Sequence, residues 1–233
     1  MTIAIITAAG IGSRMHQEIP KQFLCVYDKP IFIYTLEAFQ KHPGIDKIAL
    51  VTLDSWKELV WAYAKQFKIS KLRWVVSGGN CGQSSIRNGL TAIKDYAQND
   101  EAIMIHDGNR PLVSDDIISN NLSIYKLYGN AVTAIPCVEV LFKSKNFEPS
   151  KELIDRNEIL RTQTPHTYKF LELWNAHEKA RKQGLLNTAA TCDLMQQLGG
   201  VNYFSRGSDI NFKITTMDDL YLFRAVISSR MKL

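Results

Sequence analysis

The features missing from this sequence exclude several classes of protein. Its four cysteines, Cys25, Cys81, Cys137 and Cys192, stand far apart, without a Cys-x-x-Cys pair or a Cys/His cluster. This spacing argues against a zinc site and favours reduced thiols in a cytoplasmic protein. No apolar run is long enough to span a membrane, and the N-terminal apolar run lacks the basic flank of a signal peptide.

Charge of one sign and flexible linkers are also scarce. The 28 basic and 23 acidic residues leave a formal net charge of +5, and the basic residues are scattered. We therefore expect neither nucleic acid nor a membrane as partner, although a mild positive field suits small anionic substrates. No Pro/Gly/Ser-rich stretch divides the 233 residues, which favours a single domain, 1–233.

Short apolar runs alternate with helical patterns along the chain. We predict strands at Ile3–Thr7, Lys47–Thr52, Arg73–Val76, Ala102–His106 and Ala131–Pro136. The predicted helices cover Ile33–Gln40, Ser55 (as cap) to Phe67, Gln83–Ala97, a segment opened by Ser114, Tyr168–Gln183, Thr191–Leu198 and Met217–Ser229, with a further strand at Val201–Phe204. This alternation is typical of an α/β fold with a mostly parallel twisted sheet and helices on both faces.

One segment breaks this alternation. Residues 137–163 contain two short strand-like runs around a polar turn, Lys145–Lys151. We predict a hairpin that projects from the sheet. Such a hairpin serves either as an active-site flap or as a dimerisation arm.

The first loop, Ala8-Ala9-Gly10-Ile11-Gly12-Ser13-Arg14-Met15, directly follows a predicted strand. Glycines there let backbone amides approach phosphate oxygens. No Gly-Lys-Ser/Thr follows, so this is not a Walker A loop. A dehydrogenase fingerprint fails too, because the third glycine and the later acidic residue are missing. Arg14 and Lys21 together would clamp a triphosphate.

Five motifs then appear in order. They are AAGIGSRM-x4-PKQF, GG-x5-S (Gly78, Gly79, Ser85), HDGNRP (His106–Pro111), DRN followed by TQTP (155–165), and Asn-x-Lys-Ile-Thr (211–215). The chain therefore resembles the cytidylyltransferases that act on methylerythritol phosphate and ribitol phosphate. This resemblance implies a Rossmann-like nucleotidyltransferase fold, CTP as a substrate and Mg²⁺ as cofactor.

The resemblance implies a role for each matching residue. CTP would be bound by Ala8, Ala9, Gly10, Ile11, Gly12, Ser13, Gly78, Gly79, Ser85 and Asp107. The residues with catalytic roles would be Arg14, Lys21 and Lys213; the acceptor phosphate would be bound by Arg110, Arg156 and Thr164; and Mg²⁺ would be held by Asp107 with Asp209. The hairpin would complete the site of the partner subunit in a homodimer. His106, at the end of a buried strand, is expected to be structural.

Departures from the family pattern fall in the acceptor half. The methylerythritol enzymes typically have Pro-Val-Arg-Asp-Thr where this chain has Pro136-Cys137-Val138-Glu139-Val140, and Thr-Asp-Glu where it has Ala189-Ala190-Thr191. Asn80 and Gly82 also replace the usual Asp and Arg. Lost polar groups usually mean a changed substrate. We therefore expect a polyol or pentose phosphate acceptor, such as one used for a cell-surface polymer.

Three alternatives remain open. The chain could act on methylerythritol phosphate in isoprenoid synthesis, or it could use a nucleotide other than CTP. It could also be a catalytically silent nucleotide-binding homologue. Retention of Arg14, Lys21, Asp107, Arg110, Arg156 and Lys213 argues against a silent protein, whereas the altered acceptor region is also what a decaying enzyme would show.

Overall fold

A seven-stranded sheet organises the fold within residues 1–10 and 19–231, the part of the chain described by this computed structural model. The strands are β1 (Thr2–Ala8), β2 (Cys25–Val26), β3 (Lys29–Pro30), β4 (Lys47–Thr52), β5 (Leu72–Ser77), β6 (Ala102–Asp107), β7 (Asn130–Pro136), β8 (Leu141–Phe142), β9 (Leu153–Ile154), β10 (Leu160–Lys169) and β11 (Phe204–Arg206). The helices are α1 (Ile31–Lys41), α2 (Lys57–Gln66), α3 (Gly82–Ile93), α4 (Asp115–Tyr128), α5 (Phe170–Lys182), α6 (Thr191–Gln197) and α7 (Met217–Arg230).

The strand directions bring several loops to one edge of the sheet. The order is β11-β7-β10-β6-β1-β4-β5. β1 pairs in parallel with β4 and β6, and β4 pairs in parallel with β5, whereas β10 runs antiparallel to β6 and β7. The register aligns Thr7 with Asp107, Ala8 with Thr52, and Thr52 with Ser77. The predicted mostly parallel sheet is confirmed, and its carboxyl edge is where such folds bind ligands.

Alternate side chains of β1 enter two hydrophobic cores, one on each face of the sheet. Ala4 and Ile6 pack in the core formed with α1, α2 and α4, which includes Phe32. Ile3 and Ile5 pack in the core formed with α3 and α5. Because both faces are covered by helices, the strand is a continuous apolar run rather than an alternating one. No helix among the described residues is both long and apolar enough to cross a lipid bilayer.

The sequence prediction missed one strand of the main sheet. Leu160–Lys169 forms β10, which lies between β6 and β7. The predicted hairpin therefore ends before Leu160, and Tyr168, predicted to begin a helix, is instead a fully buried strand residue. β10 contains the Thr-Gln-Thr-Pro motif and the His166 that follows it, and these polar residues and the proline are poor strand formers. Pairing with two neighbours outweighs that local preference.

Other element boundaries shift by a few residues. Ser55 does not cap α2, because Asp54–Trp56 forms a 3₁₀ turn and the helix begins at Lys57. The helix predicted at Gln83–Ala97 ends at Ile93. The strand predicted at Val201–Phe204 lies further along the chain, as β11.

Residues 137–159, here called the arm, form a small sheet apart from the main one. β8 pairs antiparallel with β9, and the Cys137 amide donates to the Ile159 carbonyl (3.0 Å), which closes the arm at its base. The arm exposes large apolar side chains, namely those of Val138, Val140, Phe142, Phe147 and Leu153.

Candidate active site

The carboxyl end of β1 is fixed by Gln22, a side chain that the motif analysis assigned no role. Gln22 Nε2 donates to the carbonyls of Ala8 (2.5 Å) and Gly10 (3.0 Å). With 1% of its surface exposed, Gln22 supports the start of the loop from inside. Lys21 begins the adjacent 3₁₀ turn and lines the cavity that this loop opens. The predicted site residues Ile11, Gly12, Ser13 and Arg14 lie outside the described residues.

Gly78 and Gly79 allow two backbone segments to meet closely. A Cβ on Gly78 would collide with the Cβ of Ala9, and a Cβ on Gly79 would collide with the Ser84 side chain. The Gly79 amide donates to Ser85 Oγ (3.0 Å). The loop after β5 therefore meets the loop after β1 at Gly78, and a glycine is required there for that approach.

Asp107 ends β6 and lies between two cations. One carboxylate oxygen accepts from Lys213 Nζ (3.0 Å) and the other from Arg110 Nε (3.0 Å). Burial alone would raise the pKa of Asp107, but Lys213, Arg110 and His106 lower it well below its ordinary range. Asp107 is therefore a carboxylate at all physiological pH values, and it holds both cations in place.

A buried hydrogen-bond chain holds Asp107 from behind. The Asp107 amide donates to Thr164 Oγ1 (3.1 Å), which in turn contacts His106 Nδ1 (3.1 Å). His106 Nε2 lies 3.2 Å from the Arg110 carbonyl, which can only accept, so this nitrogen carries the proton and Nδ1 accepts from the Thr164 hydroxyl. Burial lowers the pKa of His106 to about 3. A neutral, fully bonded histidine agrees with the predicted structural role.

Two asparagines attach the Lys213 segment to the loop after β6. Asn109 Nδ2 donates to the Ile214 carbonyl (2.5 Å), and the Ile214 amide donates to the Asn109 carbonyl (2.9 Å). Asn211 Nδ2 donates to the Thr164 carbonyl (2.9 Å), while the Asn211 carbonyl accepts from Arg110 Nη1 (2.7 Å). Segments about a hundred positions apart therefore form one network. Asn109 and Asn211 both belong to sequence motifs, but the motifs did not predict this contact.

Two cavities meet at this network. The loop-side cavity, about 470 Å³, is lined by Thr7, Ala8, Ala9, Gly10, Lys21, Gln22, Leu53, Gly79, Asn80, Cys81, Gly82, Ser85, Asp107, Asn109 and Lys213. The β10-side cavity, about 310 Å³, is lined by Thr7, Gly82, Gln83, Ile86, Ile105, Asp107, Arg110, Thr162, Gln163, Thr164, His166, His177, Thr188, Ala189, Ala190, Thr191, Leu194 and Lys213. Asp107 and Lys213 belong to both walls. Most described residues predicted for CTP line the first cavity; Arg110 and Thr164 line the second.

Three of the described predicted residues, Gly78, Arg156 and Asp209, line neither cavity. Arg156 is exposed on the arm, where its Nη1 donates to the Val138 carbonyl (2.8 Å). Asp209, whose side chain is 81% exposed, pairs with Arg161 (3.0 Å) rather than facing Asp107. Its position lends no support to a second metal ligand. Within the described ranges, no group of three or more His, Cys, Asp or Glu side chains could hold a metal ion.

The sequence departures also separate in space. Ala189, Ala190 and Thr191 line the β10-side cavity. Val138 and Val140 are exposed on the arm. The change at 189–191 therefore alters the β10-side cavity of the same chain, whereas the change on the arm alters an outer surface. Asn80, in contrast, lines the loop-side cavity and Gly82 lines both, so the departures are not confined to the acceptor half.

Comparison with known proteins gives concordant matches. Residues 2–229 match the family model described as IspD: 2-C-methyl-D-erythritol 4-phosphate cytidylyltransferase. The chain is 42% identical to a ribitol-5-phosphate cytidylyltransferase of Lacticaseibacillus paracasei over 99% of both chains. It is 38% identical to a 2-C-methyl-D-erythritol 4-phosphate cytidylyltransferase of Clostridium acetobutylicum over 95% of both.

A solved structure agrees with these matches. The crystal structure of the Francisella tularensis 2-C-methyl-D-erythritol 4-phosphate cytidylyltransferase is similar with a TM-score of 0.79 and 26% identity, covering 95% of this chain and 97% of that one. The family match spans nearly the whole chain, including both cavities and the arm. The chain therefore belongs to the IspD family of cytidylyltransferases, which are nucleotidyltransferases.

Proposed function

We propose that the protein transfers CMP from CTP to a polyol phosphate of the ribitol 5-phosphate type and releases pyrophosphate. The observation that carries this proposal is the meeting of two cavities at Asp107 and Lys213. A reaction between two phosphorylated substrates needs two adjoining sites with cations at their boundary. The name of the Lacticaseibacillus relative supports ribitol 5-phosphate as the acceptor.

CTP occupies the loop-side cavity in this proposal. Backbone amides of residues 8–13 approach the triphosphate, and Arg14 and Lys21 offset its charge. Gly78, Gly79 and Ser85 border the base and ribose. The close contact between Gly78 and Ala9 supports a narrow wall there, which favours a pyrimidine over a purine.

The acceptor phosphate lies in the β10-side cavity, near Arg110 and Lys213. One of its oxygens attacks the α-phosphorus of CTP; the new oxygen–phosphorus bond forms as the bond to the leaving pyrophosphate breaks. No proton transfer is needed, because the attacking phosphate is already an anion. Lys213 stabilises negative charge on the α-phosphate, and Asp107 keeps Lys213 and Arg110 aligned through its two ion pairs.

The chemistry of Asp107 fits a magnesium ion. Mg²⁺ is usually held by one or two carboxylates together with substrate phosphates and water. A carboxylate has about four acceptor positions, and Asp107 uses two of them for Lys213 and Arg110. We therefore assign Asp107 as the protein ligand, and omit Asp209. When bound, the ion would neutralise triphosphate charge.

We further propose that the protein is a cytoplasmic homodimer in which the arm reaches the partner's acceptor site. The arm exposes Phe142, Phe147 and Leu153, a surface that a second copy would cover. Arg156 sits on this arm and outside the cavities of its own chain. Arg156 belongs to a motif assigned to acceptor binding, although it lies away from the cavities of its own chain. A role in the partner's site accounts for both facts. The free thiols of the four cysteines fit a reducing compartment.

Pyrophosphate release from CTP and Mg²⁺ tests the proposal. The panel contains ribitol 5-phosphate, methylerythritol phosphate, xylulose 5-phosphate, ribulose 5-phosphate and glycerol 3-phosphate. We expect release with ribitol 5-phosphate or another acyclic pentose derivative. Preference for methylerythritol phosphate, the substrate named for the Clostridium relative, would contradict the proposed acceptor and identify methylerythritol phosphate in its place. Binding of CTP without turnover on any acceptor would instead support a silent homologue.

A further inference from the structure

The inner wall of the β10-side cavity contains two histidines with unused hydrogen-bonding capacity. His166 lies on β10 and His177 on α5, and each is 2% exposed. Neither ring nitrogen of either residue has a hydrogen-bond partner. Leaving a buried polar group unpaired costs free energy, so native proteins rarely keep four such atoms in one place.

Neighbouring polar side chains in the same wall show the contrast. Gln83 Oε1 accepts from the Thr188 amide (2.9 Å) and its Nε2 donates to the Leu185 carbonyl (2.7 Å). Gln163 Nε2 donates to the Ser208 carbonyl (2.8 Å), and its Oε1 accepts from Asn211 Nδ2 (3.2 Å). These glutamines are bonded within the protein and build the wall. The histidines line the same cavity, but their ring nitrogens are buried in its wall without a hydrogen-bond partner.

Both histidines are neutral at physiological pH. Burial lowers the pKa of each to about 4; Arg110 adds to this effect at His166 and Arg87 at His177. A neutral imidazole offers one donor and one acceptor. An alcohol also donates once and accepts, whereas a phosphate dianion only accepts. The pair is therefore matched to hydroxyl groups rather than to a phosphate.

The wall of the cavity therefore combines two kinds of chemistry. Lys213 and Arg110 supply positive charge beside Asp107, where the acceptor phosphate belongs. The histidines add neutral hydrogen-bonding groups to a wall that also contains the apolar side chains of Ile86 and Leu194. An acyclic polyol phosphate carries the two matching kinds of group, an anionic phosphate and hydroxyls along a carbon chain.

We propose that His166 and His177 bind hydroxyl groups on the carbon chain of the acceptor and thereby select a polyol phosphate. This inference rests on the proposed function and extends it to two residues that belong to none of the sequence motifs assigned to the acceptor. The binding is non-covalent. Each imidazole is unpaired in the free protein and forms a hydrogen bond to a hydroxyl of the bound acceptor. An acceptor that lacks this hydroxyl leaves the imidazole unpaired, and the protein therefore selects against it.

Replacement of each histidine by leucine gives the central test. For His177→Leu and His166→Leu we expect the KM for ribitol 5-phosphate to rise about 10- to 100-fold, with the KM for CTP changed less than about twofold. Without substrate, the thermal midpoint of each variant should stay equal or rise, because no protein hydrogen bond is lost. A buried histidine with only a packing role would give a lower midpoint and an unchanged KM.

Matched variants and substrate analogues separate hydroxyl binding from a packing role. His42→Gln replaces a buried histidine outside both cavities, and we expect it to change neither KM. His177→Gln keeps a donor and an acceptor, and should recover part of the lost acceptor affinity. Monodeoxy analogues of ribitol 5-phosphate should bind less tightly to the wild type, but at least one should lose no further affinity when His177 is replaced by leucine.

The outcomes separate this inference from the proposed function. If wild-type protein releases pyrophosphate with ribitol 5-phosphate and both leucine variants keep its KM, the histidines do not bind the acceptor. If none of the acceptors in the panel causes the wild-type protein to release pyrophosphate, the proposed function itself fails. Should a leucine variant not fold, the glutamine variant and the deoxy analogues measured on wild type still decide the question.

Discussion

The two cavities are built by different means. The loop-side cavity owes its shape to backbone: Gly78 meets Ala9, and Gln22 holds the Ala8 and Gly10 carbonyls. The β10-side cavity owes its character to side chains, including two unpaired histidines. A backbone-built site tolerates little change, because each atom position is fixed by main-chain geometry. A side-chain-built site can change its ligand through a few substitutions, which suits the half that selects the acceptor.

The largest expected effect comes from the wall that both cavities share. Lys213→Ala should lower kcat about 10²- to 10⁴-fold, because it removes a cation that stabilises charge only as the reaction proceeds. It also deprives Asp107 of one of its two ion-pair partners. Steady-state pyrophosphate release measures the loss. Lys57→Ala, which removes a lysine paired with Asp54 outside both cavities, should leave kcat unchanged. A KM change with kcat intact would contradict the role of Lys213.

The second test affects the acceptor half alone. Arg156→Ala should raise the acceptor KM about 10-fold and leave the CTP KM unchanged, if the arm serves the partner's acceptor site. Mixing this variant with Lys213→Ala sharpens the test. At an acceptor concentration well below its KM, where each variant alone is weakly active, a randomised dimer population should reach about a quarter of wild-type activity, because half of the dimers then contain one complete site. If activity is not recovered after subunit exchange, or if the protein sediments as a monomer at micromolar concentration, the arm does not contribute to the partner's acceptor site.

The third test affects the loop-side half alone. Gly78→Ala inserts a Cβ into the contact with Ala9, and should cost about 1–3 kcal/mol of unfolding free energy. We also expect a raised CTP KM and an unchanged acceptor KM. Urea denaturation and steady-state kinetics measure both effects. Gly82→Ala is the control for stability, because a Cβ there meets open space. Equal stability of the two variants would show that the loops separate readily.

The same contrast explains what the sequence could and could not predict. The parallel strands were predictable, because each is a short apolar run covered on both faces. The motifs also led to Asp107, Lys21 and Lys213, which line one cavity. β10 was missed because the Thr-Gln-Thr-Pro-His segment has no strand pattern of its own; it is extended because β6 and β7 pair with it.

Residues whose importance arises only from tertiary contact were also missed. Gln22 and Asn109 bond to atoms on distant segments, at separations of 14 and 105 positions. His177 lies on a helix far from every motif, and nothing in its local pattern distinguishes it from a core residue. Its significance lies in a missing partner, which is visible only when the whole cavity is assembled. Asp209 is the opposite case. It is close to Lys213 in sequence and was predicted to bind the metal, but its carboxylate forms an ion pair with Arg161.

The smallest expected effect concerns pH and the unpaired histidines. In the folded protein, burial lowers the pKa of His166 and His177 to about 4, from an ordinary value of 6.5. Between these values the unfolded chain binds protons that the folded chain does not, so stability falls as pH decreases from about 6.5 toward 4. Each histidine contributes up to about 1.4 kcal/mol per pH unit to this slope. His177→Leu should therefore flatten the dependence of unfolding free energy on pH between 6.5 and about 4, measured by urea denaturation.

An unchanged slope would mean that His177 titrates normally in the folded protein. It would then be solvated rather than held neutral against the cavity, and the contrast between the two halves would weaken.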